Sequence, residues 1–128
     1  MPSYQSVQKA FLKAELPALD VVDNHYAYRD YTVHFEIPEF TCVCPKTGQP
    51  DFATLTIDYV PAKKLVELKS LKLYFHGYRN LGVFHEHVAN KVLDDLVAAV
   101  KPKRARLSAD FNVRGGIHTV VQVGYKWR

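Results

Sequence analysis

The chain has 128 residues, of which 48% are hydrophobic and 23% charged, the composition of one soluble globular domain rather than of a disordered or fibrous chain. Its net charge of +4 suits an anionic small molecule or cofactor as well as RNA, so charge alone selects no partner. No apolar run approaches the ~20 residues needed to span a bilayer. Met1 to Leu12 lacks the basic-then-apolar pattern of a secretory leader, so two cysteines without an export signal argue for reduced thiols in the cytoplasm and against a disulfide scaffold.

Residues 1–28 read as irregular, with Pro17, Asp20, Asp23 and Asn24 as punctuation. From Tyr31 to Ile37 large and polar residues alternate, and the same alternation returns over residues 53–60 until Pro61, so both runs are predicted strands. Between them, Cys42 to Pro50 is rich in Pro, Gly, Lys and Thr and reads as a loop, where a rigid scaffold tends to carry its chemistry. Leu68, Leu71, Phe75 and Tyr78 form a helical stripe, although Leu71, Leu73 and Phe75 also fit a strand. Val88, Val92, Leu96 and Val100 make a cleaner amphipathic helix that Pro102 stops. Alternation resumes at 105–113 and 119–125, and Arg114-Gly115-Gly116 between the two runs marks a hairpin.

The order strand, strand, helix, helix, strand, strand predicts an α+β domain with an antiparallel sheet and helices on one face. A four-stranded sheet of this kind leaves edges and one face open. Eight Tyr and seven Phe exceed what a lone core needs. Neighbouring subunits are therefore expected to close the sheets into a barrel-like ring, with an aromatic-bearing monomer as the alternative.

The segment Cys44-Pro-Lys-Thr-Gly-Gln-Pro-Asp51 concentrates reactive residue types. A loop cysteine beside Lys46 can have its thiol pKa lowered by that cation, and the thiolate is the nucleophile; a buried, inert thiol is the plainer alternative. Cys42 lies two residues earlier, on the same side of an extended chain, where it would fill space or help hold a metal. Asp51 reads as a turn residue or as a proton donor, the latter requiring burial or a nearby negative charge. Lys69 and Lys72, three apart, would share a helical face as a phosphate clamp or as solvated surface. Glu86, after Phe84-His85, either favours the positive end of a helix or accepts two hydrogen bonds from an amidine-like N–H pair. Arg114 on its glycine turn could meet a phosphate.

Taken together, Cys44 to Asp51, Glu67-Leu-Lys-Ser-Leu-Lys-Leu-Tyr74, Tyr78-Arg-Asn80, Phe84-His-Glu86 and Arg114-Gly-Gly116 resemble the NADPH-dependent 7-cyano-7-deazaguanine reductases (preQ1 synthases), in their short single-domain form. The resemblance covers about residues 35–117. It implies a tunnelling fold over residues 31–128 after a lead-in at 1–30, and a homo-oligomer. It also implies reduction of the nitrile of preQ0 to the aminomethyl group of preQ1, for queuosine in tRNA, with NADPH as cofactor. By this resemblance Cys44 forms a covalent thioimide and Asp51 supplies a proton. Val66, Glu67, Leu68, His85 and Glu86 contact the substrate, and Lys69, Lys72, Arg114 and Gly115 meet the cofactor. No metal and no direct nucleic-acid partner are implied.

Cys42 departs from the family pattern, and residues 1–30 and 124–128 match nothing in it. A zinc-dependent pterin-type cyclohydrolase of the same fold is the first rival, with Cys42, Cys44 and a histidine as ligands, although a Cys-x-Cys pair is awkward for one metal. The second is a small basic RNA-binding module, against which the basic residues are scattered rather than gathered in a stripe.

Overall fold

In the computed structural model, residues 16–127 are described; the first fifteen residues of the expected lead-in at 1–30 lie outside them. The elements in chain order are β1 (Val21–Asp23), β2 (Val33–Val43), β3 (Pro50–Val60), β4 (Lys64–Val66), α1 (Leu68–His76), α2 (His85–Val100), β5 (Arg104–Phe111) and β6 (Val120–Tyr125). Strands β2, β3, β5 and β6 form one antiparallel sheet in that spatial order. This is the expected α+β arrangement.

Alternation decides the faces. Leu55, Ile57 and Tyr59 of β3 point to the same side as Ala105, Leu107 and Ala109 of β5, and all are buried. Against them α2 lays Val88, Val92, Leu96 and Val100, the four-residue recurrence seen in the sequence, supplemented by Ala89 and Leu93. The helix stops where Lys101 turns left-handed (φ +46°) ahead of Pro102. Helix α1 buries Leu71, Tyr74 and Phe75, with Tyr78 just beyond its end, whereas Leu68, the first member of the predicted stripe, is 64% exposed.

Two differences from the sequence reading have local causes. Within the segment read as irregular, Val21–Asp23 forms β1 and pairs antiparallel with β4, a ribbon of three residues on each side. Strand β2 continues past Ile37, because Pro38 falls in a break of register between Ile37 and Phe40. A proline that cannot donate to the ladder is tolerated at a bulge on an edge strand. Together with the early start of β3 at Pro50, this shortens the Cys42–Pro50 loop to a turn. Cys44 N donates to Gln49 O at 2.8 Å and Gly48 N donates to Cys44 O at 2.9 Å. Among the described residues, no helix is long and apolar enough to cross a membrane.

Candidate active site

The extra length of β2 and β3 positions the reactive segment. Cys42 and Asp51 are register partners across the two strands, so both point toward the helix side of the sheet. Cys42 is fully buried, and burial followed by the charge of Asp51 pushes its thiol up to about 12. It is therefore a neutral, space-filling thiol at ordinary pH. Among the described residues no three His, Cys, Asp or Glu side chains gather as a metal site.

Cys44 sits at the mouth of the turn and is partly exposed. Burial pushes its thiol up, but hydrogen bonds from the Thr47 hydroxyl and from the amides of Thr47 and Lys46 outweigh this and hold it below the ordinary value of 9.0. Lys46 thus acts through its backbone N–H, where the sequence suggested its ammonium.

Asp51 is a strand residue rather than a turn residue, with a side chain only 7% exposed. Its Oδ2 lies 3.2 Å from His85 Nε2, and its Oδ1 accepts from Arg114 Nη1. His85 opens α2 and stacks flat on Phe111 of β5, with ring centroids 3.7 Å apart and planes at 5°. Arg114, on the β5–β6 hairpin, also donates from Nη2 to Thr47 Oγ1 at 3.2 Å and from Nη1 to Pro50 O at 3.4 Å. Gly115 and Gly116 follow it at φ +58° and +80°, the left-handed backbone that favours glycine.

The turn after β2, the start of β3, the start of α2 and the β5–β6 hairpin therefore converge on one spot. They bring together a nucleophile with lowered pKa, a buried carboxylate, an imidazole and a guanidinium. The remaining residues singled out in the sequence lie differently. Val66 is buried in β4, with its N–H donating to Tyr59 Oη at 3.2 Å. Glu67 is the N-cap of α1, its carboxylate accepting from the amides of Lys69 and, at 3.1 Å, Ser70. Glu86 is exposed in the first turn of α2. Lys69 and Lys72 are both exposed on α1.

Lys72 lines a concavity of about 700 Å³ between α1 and the bulged part of β2. That cavity does not include Cys44, Asp51 or His85; Phe52, the residue after Asp51, is in its lining. Thr47 and Phe111 are site residues that sequence reasoning missed. Thr47 lay inside the segment already singled out, whereas Phe111 carried no signal beyond its place in an alternating strand.

A model of the QueF-like protein family matches residues 50–128. The NADPH-dependent 7-cyano-7-deazaguanine reductase of Nitrosomonas europaea is 63% identical over 103 residues, covering 80% of this chain and 74% of that protein. The reductase of the same name from Halorhodospira halophila is 56% identical over 110 residues, covering 86% and 93%. Among solved structures, the archaeosine synthase QueF-Like in the apo form is similar with a TM-score of 0.68, over 73% of this chain and 91% of that one. At 22% identity this is a likeness of fold, and it fits the tunnelling fold that the family resemblance implies. On the family model and on these identities, the chain belongs to the QueF-like family.

Proposed function

We propose that the chain reduces the nitrile of 7-cyano-7-deazaguanine (preQ0) to the aminomethyl group of preQ1, a step toward queuosine, through a thioimide on Cys44. The observation that carries this reading is the convergence of a thiol held below its ordinary pKa with the buried Asp51–His85 pair. The relatives' shared name supplies the substrate and the cofactor.

A nitrile carbon is a poor hydride acceptor until a soft nucleophile has added to it. The Cys44 thiolate forms a C–S bond to that carbon, and one C–N π pair moves to nitrogen. Asp51 gives that nitrogen a proton, which produces the thioimide. His85, 3.2 Å from Asp51 Oδ2, is the group that returns a proton to the carboxylate. Hydride addition at the thioimide carbon expels Cys44 as thiolate and leaves an imine. A second hydride and a further proton give the amine.

NADPH, when bound, supplies the two hydrides. The 700 Å³ cavity fits such a cofactor: Lys72 and Arg79 offer cations for phosphates, and the half-exposed Phe52 offers a flat apolar surface, with Glu36 and Glu39 also in the lining. Lys69, at the start of α1, and Gly115, beside Arg114 on the hairpin, complete the cofactor-facing set, while Val66, Glu67, Leu68, His85 and Glu86 form the substrate side. Since Glu67 caps α1, its proposed contact with substrate is made by an already immobilised group.

Strands β2 and β6 are the outer strands of the sheet, which supports a homo-oligomer closed by edge pairing. Both cysteines are free, in keeping with a cytoplasmic location. The activity is tested by NADPH oxidation on adding preQ0. Two NADPH consumed per preQ0, with preQ1 as product, is the expected result; no preQ0-dependent oxidation would remove the function.

A further inference from the structure

The turn that presents Cys44 contains a hydroxyl whose hydrogen-bonding capacity is almost fully accounted for. Thr47 Oγ1 accepts from Gln49 N at 3.2 Å and from Arg114 Nη2 at 3.2 Å. A threonine hydroxyl has two acceptor lone pairs and one proton. With both lone pairs facing N–H donors, the proton is left to point elsewhere. The turn supplies the acceptor: Cys44 N to Gln49 O at 2.8 Å and Gly48 N to Cys44 O at 2.9 Å close the backbone on itself, which brings the residues before Gly48 back toward Cys44.

We propose that Thr47 is a further catalytic residue, its hydroxyl donating to the Cys44 sulfur and stabilising the thiolate, with Arg114 as the positioning residue that aims it. One guanidinium then spans the site. Its Nη2 orients the hydroxyl serving the nucleophile, while its Nη1 holds Oδ1 of the acid Asp51. Hydrogen bonds from Thr47 are the principal influences lowering the Cys44 thiol against its burial. The other groups that bear on the two thiols are Asp51 from β3, which disfavours the thiolate whenever it is ionised, Arg114 from the hairpin, and the Lys46 amide within the turn. Cys42 beneath them is neutral.

The inference rests on Cys44 being the nucleophile, yet its test needs neither preQ0 nor NADPH. Alkylation of Cys44 by iodoacetamide is followed against pH, with the modified residue assigned by peptide mass so that Cys42 does not count. In Thr47→Val the midpoint is expected to rise by about one pH unit or more, the scale of one hydrogen bond to a charged group. Thr47→Ser, which keeps the hydroxyl, is expected to stay at the wild-type midpoint. Arg114→Lys, which keeps the charge but loses the planar fork, is expected to fall between. Thr47 is exposed, so these replacements are made at a surface position. A wild-type midpoint in Thr47→Val, or an equal rise in Thr47→Ser, would overturn the proposal. Should the alkylation shift appear while wild-type protein shows no preQ0-dependent NADPH oxidation, the Thr47 assignment stands and the nitrile-reductase reading falls.

Discussion

Strand β3 carries two aspartates, each held between an arginine and a histidine, and the contrast between them shows what makes a site. Asp51 meets Arg114 and His85; Asp58 meets Arg106 Nε at 3.1 Å and His34 Nδ1 at 2.7 Å. Being seven residues apart on one strand, they point to opposite faces of the sheet. Asp58 looks away from the helices, with partners that are 55% and 54% exposed. Asp51 looks toward them, with partners at 20% and 35% and a reactive cysteine on the adjoining turn. The charged groups are the same in kind. What differs is removal from water, the aromatic ring stacked on the histidine, and the thiol beside the carboxylate.

Removing the acid is expected to have the largest effect. Asp51→Asn keeps the shape but cannot protonate the nitrile nitrogen, so kcat is expected to fall by about 10²–10⁴-fold with preQ0 still bound. The matched change Asp58→Asn is expected to leave kcat within about twofold, since general acid catalysis has no part on that face. Steady-state kinetics of both variants decide this, and equal losses would erase the distinction between the faces.

A smaller effect is expected beneath the nucleophile. Cys42→Ala opens a small hole in the core and should cost about 1 kcal/mol in urea unfolding, with Cys44 alkylated as in the wild type. Loss of Cys44 reactivity in that variant would give Cys42 a chemical role.

The smallest effect belongs to the exposed trio. Burial pushes Asp58 up, but His34 and Arg106 outweigh it and hold its carboxyl below 3.8. Its stabilisation is therefore fully present above the unfolded carboxyl pKa, near pH 4, and is lost as pH falls through the lowered folded value. Arg106→Ala should reduce stability by about 0.2–1 kcal/mol at neutral pH, and less below pH 3, as followed by urea denaturation. A loss that grows on acidification would contradict this sign.

Periodicity made the two helices and the four main strands legible, because each is a local pattern of burial. Less legible was whatever depends on pairing between distant segments. Strand β1 is too short to show alternation, and it exists only because β4, about forty residues later, offers a partner. The alternation of β2 was legible only to Ile37, and only the register of β3 reveals the bulge that carries the strand past Pro38. Asp51 looked like a turn residue for the same reason. Its contacts with His85 and Arg114 span 34 and 63 positions, separations at which spacing says nothing. The family resemblance placed these residues in one site, but it linked His85 to substrate and Arg114 to cofactor, whereas in the fold both side chains lie against Asp51. Glu67 shows the converse: its role as the N-cap of α1 followed from a helix start that the sequence left open between helix and strand.

The most direct test of covalent chemistry at Cys44 is the intact mass of the protein after incubation with preQ0 and no NADPH. Wild-type protein should gain the mass of one preQ0, and Cys44→Ala should gain nothing. An adduct that persists in Cys44→Ala, or none in the wild type under conditions where it reduces preQ0, would contradict the assignment of Cys44 as nucleophile.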